Sequence, residues 1–385
     1  MKVLFLIASI NSPSKGLGGH YHSLKTIATE YNKENEAVVV NIGTHKAKAL
    51  EGIDVTLYSI INKNISIFST TKSLQEIILS EKPDVIHSFD RIAYFWGRIM
   101  AKKFNLTSVL TKCGGPNEGF QPKSDNLILF SKENLDFFKK SPKHTKTNFF
   151  LIPNRVNKFD TDYHKIITLK KALSIDNKTF TFLRITRIGE YYKSSCIQLI
   201  NLTKKLNEDG INCCAIFIGT VQDQMVLNEL KSISNKNIHF VNEDTYTKNA
   251  KRLIDIADAV LGTGRSLMEA AAKNKMLLCP SNENIPVLLR KENFEEAFSL
   301  NFSERISFHD LNFESNYYEI KNSILNNEAY ISNTRFAQSI FEKHFNIRLV
   351  PQKLNEVYFT SKKHQKNNIK DFLLHFILII KTYLK

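Results

Sequence analysis

Short runs of almost wholly apolar residues alternate with helical stretches along this chain, and the alternation breaks off once and then starts again. In the first half "KVLFLIAS", "EAVVVNI", "DVTLYSI", "DVIHSF", "TSVLTK", "NLILFS" and "FFLIPN" read as strands, with helical segments at 71–81, 91–103 and 132–140 between several of them. Runs this apolar are strands covered on both faces, the condition of a parallel sheet flanked by helices. A polar connection containing Lys and Asp follows at about 156–177. Beyond it the pattern restarts with "FTFLRIT", "CCAIFIG", "NIHFV", "DAVLGT" and "KMLLC", separated by helices near 194–208, 222–233, 247–256 and 265–273. The reading is an α/β protein of two tandem Rossmann-like, doubly wound domains.

The chain has the material for two cores, with 385 residues of which 42% are apolar and 24% charged. Five cysteines (113, 196, 213, 214 and 279) are odd in number, sit mostly in apolar runs and form no C-x-x-C pair, which reads as reduced thiols in the cytoplasm. "MKVLFLIASI" has the length of a signal peptide core, but it lacks a small-residue cleavage site and a Gly-rich loop follows, so it reads as a first buried strand. No apolar run reaches the roughly 20 residues that cross a bilayer.

Open α/β sheets bind ligands at the carboxyl ends of their strands. After the first strand, "NSPSKGLGGHYHSLKTIA" carries Gly16, Gly18 and Gly19, where backbone can approach a ligand and a helix start near Gly19 offers free N–H groups to an anion. An ordinary turn explains the same glycines. "RITRIGEYYKSS" sets Arg187 and Lys193 just past the first strand of the second half, where two cations can hold a diphosphate, Arg by its planar fork and Lys as a point charge. With a net charge of +15, a solvated basic turn is the alternative. "LGTGRSLMEAAAKNK" starts a helix at a Gly262-Thr-Gly264 turn and places Glu269 where a carboxylate can accept hydrogen bonds from two adjacent hydroxyls of a ribose, or serve only the helix dipole. His20, in the Gly loop, and His87, in "VIHSFD", are candidate substrate contacts, with a hydrogen-bonded structural role the alternative for His87.

Taken in order, "GLGGHYHSL", "KPDVIHSFD", "LIPNRVN", "RIGEYYK" and the Gly-x-Gly turn followed by "LMEAAA" resemble the retaining glycosyltransferases of the family 4 type, over nearly the whole chain. The resemblance implies the GT-B architecture, two Rossmann-like domains facing a cleft, with the nucleotide-sugar donor held mainly by the second. It implies an N-terminal, acceptor-side domain over 1–160, a nucleotide-sugar domain over 161–345 and a helix over 346–361 returning toward the first. Arg187 and Lys193 then correspond to the diphosphate-binding, catalytic pair, and Glu269 to the second glutamate of an E-x7-E motif that binds ribose. Gly262, Gly264, Gly18 and Gly19 would line the donor. The reaction implied is glycosyl transfer from an NDP-sugar to a hydroxyl, with retention.

The chain departs from that pattern at informative places. Leu261 stands where the first glutamate of E-x7-E belongs, and Cys113 where many relatives place a sugar-contacting histidine. The Arg187-to-Lys193 spacing is one residue longer than usual, and Arg155 replaces a glycine. No hydrolase elbow, Walker loop, metalloprotease helix or RNA-binding signature is present, so no nucleic-acid partner is expected. Nor is a metal or cofactor, since fixed cations neutralise the diphosphate and the donor is a co-substrate.

The last segment, 362–385, carries six lysines against one acid, Asp371. On a helical wheel Lys370, Asp371, His375, Lys381, Thr382 and Lys385 gather on one side and Phe372, Leu373, Phe376, Ile377, Ile379, Ile380, Tyr383 and Leu384 on the other. This reads as a basic amphipathic tail lying on an anionic membrane, the inner face of the cytoplasmic membrane, or as a terminal helix packed on its own domain. The leading expectation is thus a peripheral enzyme that extends a lipid-linked glycan in bacterial surface polysaccharide synthesis. A non-catalytic glycosyltransferase-like subunit and a sugar-nucleotide epimerase are the alternatives.

Overall fold

The computed structural model describes residues 1–10, 18–62, 66–117, 119–309, 311–363 and 369–384. It divides into two compact units, one of Met1–Arg155 with Ile347–Lys385 and one of Val156–Asn346. The first unit runs β1 (Lys2–Ser9), α1 (Gly19–Tyr31), β2 (Glu36–Gly43), β3 (Thr56–Ile61), α2 (Ile67–Glu81), β4 (Val85–Ser88), α3 (Arg91–Phe104), β5 (Thr107–Lys112), β6 (Asn126–Leu129), α4 (Lys132–Lys139) and β7 (Asn148–Leu151). Its seven strands are all parallel, in the order β3-β2-β1-β4-β5-β6-β7. Seven of the eight residues of β1 are buried, because helices cover both faces of the sheet.

The second unit runs α5 (Tyr163–Ala172), β8 (Phe180–Ile185), α6 (Glu190–Glu208), β9 (Cys213–Ile218), α7 (Gln224–Ser232), β10 (Ile238–Val241), α8 (Asp244–Thr247), β11 (Ala259–Leu261), α9 (Arg265–Ala272), β12 (Met276–Cys279), β13 (Val287–Leu288), α10 (Lys291–Ser299), α11 (Phe313–Leu325) and α12 (Asn327–Ile340). The strand order is β10-β9-β8-β11-β12-β13, parallel except for the β12–β13 pair. In each unit the first strand is flanked by the second on one side and a later strand on the other. That reversal leaves a crevice at the strand ends beside β1 and β8.

The chain then returns to the first unit as α13 (Val350–Thr360) and α14 (Ile369–Tyr383). Val350, Leu354, Val357 and Tyr358 of α13 join the core beside α1, where Tyr31 donates to the Asn355 side chain at 2.7 Å.

The expected water-facing side of the last helix is corrected here. Asp371 and His375 turn into the fold, not toward solvent, because Arg98, buried on α3, binds Asp371 at 2.9 Å and Lys143 binds its other oxygen at 2.9 Å. His375 donates from Nε2 to the Arg91 carbonyl at 2.6 Å. Phe372, Phe376, Ile379 and Tyr383 pack against the same core cluster as Phe95 and Trp96. Leu373, Leu374 and Ile377 face out.

Candidate functional site

The crevice beside β8 holds a cavity of 290 Å³ wholly within the second unit. Thr186 and Arg187 follow β8, Gly219 and Thr220 follow β9, Thr263 and Ser266 belong to the turn that starts α9, and Tyr192 reaches in from the first turn of α6. The cavity is therefore lined by one guanidinium among hydroxyl groups.

Arg187 is the cation there. It donates from Nη2 to the Tyr192 hydroxyl at 3.2 Å and lies with Cζ 5.6 Å from the centre of that ring. Beneath it Arg184 is fully buried on β8, donating to Glu304 at 2.6 Å, to Ser195 at 2.8 Å and to the Leu261 carbonyl at 3.1 Å. Arg184 Cζ is 5.8 Å from the same tyrosine ring, so Tyr192 is held by two guanidiniums.

Lys193, expected beside Arg187, does not line the cavity. Its ammonium contacts Glu229 and lies 3.9 Å from Glu190, and the hydrogen bond to Glu229 raises its pKa. The cause is helical phase: α6 starts at Glu190, so the residue after Tyr192 points about 100° around the axis. Tyr192, one residue earlier, is the α6 side chain that lines the cavity.

The turn before α9 has the shape its glycines require. A Cβ on Gly262 would meet Leu267 Cα at 2.5 Å, and Gly264 adopts a φ of +47°. The Thr263 amide donates to Ser266 Oγ at 3.0 Å and that hydroxyl donates back to the Thr263 carbonyl at 2.9 Å, which fixes the helix start. Glu269 lies behind this turn, buried, with Oε1 2.9 Å from Arg265 Nε. Arg265 takes up one oxygen of a group that can accept several bonds. Leu261, at the place of the motif's first glutamate, is fully buried among Phe182, Leu278 and their neighbours, so that position is core.

In the first unit the strand ends are arranged differently. Gly18 precedes α1 in extended conformation and Gly19 opens the helix, while Gly16 lies outside the described residues. The His20 ring lies tilted against that of Tyr21 with centroids 4.0 Å apart; burial lowers its pKa against the opposing charge of Asp90. Asp90 caps α3, accepting from Ile92 and Ala93, and also accepts from Ala8 at 2.8 Å. Cys113 follows β5, half-buried, with Sγ 3.5 Å from the Phe89 carbonyl and its thiol pKa pushed up by burial. His87 is corrected as a ligand contact. It is fully buried, with its ring nitrogens 2.7 Å from the hydroxyls of Tyr358 and Thr111, and burial drives its pKa to about 3.

Thr186, Tyr192, Thr263, Ser266 and Asp90 escape the sequence reading. Tyr192 was legible only from the lengthened spacing and Asp90 only as the residue between a strand and a helix. Among the described residues no group of three or more His, Cys, Asp or Glu side chains is placed to hold a metal.

No protein-family model matches the chain, and no curated protein matches it in sequence. Solved structures do match in shape. A glycosyltransferase from Rickettsia africae superposes with a TM-score of 0.68 at 16% identity, over 93% of this chain and 98% of that one. The fold is GT-B. HepE of Anabaena, in complex with UDP and glucose, gives 0.65 at 16% identity over 94% of this chain and 100% of its own. A UDP-GlcNAc 2-epimerase from Neisseria meningitidis, bound to UDP-GlcNAc, gives 0.52 at 15% identity over 94% and 100%. The GT-B fold thus hosts both transfer and epimerisation among the neighbours, so chemistry has to be argued from the site.

Proposed function

We propose that this chain transfers a hexosyl-type group, with retention at the anomeric carbon, from a UDP- or GDP-sugar to a hydroxyl of a glycan acceptor, as a transferase of the family 4 type. The observation that carries the reading is the cavity at the ends of β8, β9 and β11, where Arg187 stands among the hydroxyls of Thr186, Tyr192, Thr263 and Ser266. A guanidinium among hydroxyls suits a diphosphate, and it stabilises the charge left on that group as the anomeric C–O bond breaks. Glu269 is the proposed ribose acceptor through the oxygen that Arg265 does not hold. HepE, of like fold, binds UDP and glucose, which supports a nucleotide-sugar donor here. His20 and Cys113, at strand ends of the first unit, are the proposed sugar or acceptor contacts. We further place the acceptor on a lipid carrier, at the inner face of a bacterial cytoplasmic membrane. No metal enters the scheme, since Arg187 supplies the positive charge.

A second reading, a subunit that binds nucleotide without turning it over, draws on the buried Leu261 and the Arg265–Glu269 pair. Incubating the pure protein with a panel of UDP- and GDP-sugars separates the readings. Slow release of free nucleotide from one donor, abolished by Arg187→Ala, is the expected result. Tight binding without release would favour the subunit, and a sugar of changed configuration the epimerase.

A further inference from the structure

The last helix is locked to the first unit by polar contacts, and the lock leaves an apolar face uncovered. Asp371, His375 and Ile379, at spacings of four, are its buried stripe. The ion pairs from Arg98 and Lys143 to Asp371 fix the rotation of α14, because a turn about its axis would strand a buried guanidinium. With that setting Leu373 stays 52% exposed, Leu374 45% and Ile377 47%, continued by Ile369 at one end and Leu384 at the other. Lys370 and Lys381 are exposed on the same face. The helix's sole acid, Asp371, is turned inward.

We propose that this outward face of α14 docks on the surface of an anionic lipid bilayer. Aliphatic side chains flanked by lysines, with no acid among them, match a layer whose headgroups are negative and whose interior begins just beneath them. A second copy of the face fits less well, since it would set Lys370 and Lys381 among their own kind. At 15 residues the helix is about 22 Å long, short of the roughly 30 Å hydrocarbon core, and no described helix is long and apolar enough to cross a membrane. It therefore lies on the surface, with leucines at the headgroup boundary and lysine stems reaching back to phosphates. The docking side is not the one the helical wheel alone selects, because the phenylalanines are spent on the protein core.

The test is co-sedimentation of the full chain with vesicles of phosphatidylcholine, alone or mixed with phosphatidylglycerol. Binding should need the anionic lipid and weaken as salt rises. Leu374→Gln with Ile377→Gln should weaken it about tenfold or more, and Lys381→Gln roughly fivefold. The melting temperature and the emission of Trp96 should stay as in the parent, since Leu374, Ile377 and Lys381 face outward. Failure of the parent chain to sediment, or sedimentation unchanged in the double glutamine variant, would overturn the proposal. So would a concentration-dependent dimer that the same variant abolishes, which would name a second copy as the occupant. The assay contains no nucleotide, so it can fail while the glycosyl-transfer reading stands, and the reverse.

Discussion

The two units share the reversal of strand order and differ in what the described residues place beside it. Beside β1, several of the described polar groups at the strand ends are bonded internally: His87 bonds Tyr358 and Thr111, Asp90 caps α3, and Ser9 accepts from Asn41 at 2.6 Å. Beside β8, hydroxyls and a guanidinium line open space. Position at a strand end is thus where a fold can place chemistry. Whether chemistry is there depends on what the neighbouring helices leave unpaired.

The largest expected effect separates the units by acidity. His87 and His375 are held at about 3 and His144 at about 4, chiefly by burial, all in the first unit. An unfolded histidine takes up its proton near 6.5, so the unfolded state gains protons that the folded state refuses. The stability these groups contribute is complete above that pH and drains away as pH falls toward their folded values, at about 1.4 kcal/mol per pH unit for each. By about pH 5 each histidine costs roughly 2 kcal/mol. In the second unit His239 is lowered too, but it is only half-buried. Trp96, the chain's single tryptophan, is buried in the first unit and reports on it alone. Its urea midpoint should fall steeply between neutral pH and pH 5; a flat midpoint would contradict the burial argument.

Each unit also contains a fully buried arginine matched by one carboxylate, Arg98 with Asp371 and Arg184 with Glu304. Removing the carboxylate alone leaves an uncompensated charge, so Asp371→Ala and Glu304→Ala should each cost about 3–5 kcal/mol. The comparison sharpens in the readouts. Asp371→Ala should shift the Trp96 transition and leave UDP affinity alone, whereas Glu304→Ala should weaken UDP binding because Arg184 supports Tyr192. Equal effects of both on UDP would erase the distinction between the crevices.

Arg187→Ala comes next in size. A charge-assisted hydrogen bond is worth about 1.5–3 kcal/mol, so calorimetric affinity for UDP should drop on the order of tenfold to a hundredfold while uridine is bound nearly as before. The melting temperature should barely move, since Arg187 sits at an open cavity. A matched loss for uridine and UDP would place Arg187 away from the phosphates.

How much of this was legible in the sequence depends on what each pattern encodes. Apolar runs report burial directly, so the strands from "KVLFLIAS" to "KMLLC" were found almost at their observed bounds. The water-facing side of the tail was misplaced because a helical wheel records polarity without knowing its partners: Asp371 looks like a water-facing residue until Arg98, 273 positions earlier, is brought beside it. His87 stayed ambiguous for the same reason, its partner Tyr358 being 271 positions away. Gly262 and Gly264 were readable because close approach and positive φ leave few other choices. Tyr192 was missed because tyrosine carries no motif weight of its own.

The smallest expected effect decides between spacing and geometry. Counting residues from Arg187 along "RIGEYYK" makes Lys193 the second phosphate cation, whereas the structure pairs it with Glu229 on the side of α6 turned from the cavity. Exposed pairs contribute little, so Lys193→Ala should change UDP affinity by no more than about twofold. Tyr192→Phe, which removes the hydroxyl beside Arg187, should cost about fivefold, the size of one neutral hydrogen bond. Titrating UDP into both variants ranks them. If Lys193→Ala loses as much as Arg187→Ala, the lysine must leave Glu229 and swing toward the ligand on binding, and Glu229→Gln should then tighten UDP by freeing it. If the ranking is tyrosine above lysine, the lengthened spacing has exchanged a cation for a hydroxyl, and the diphosphate site carries one fixed positive charge instead of two.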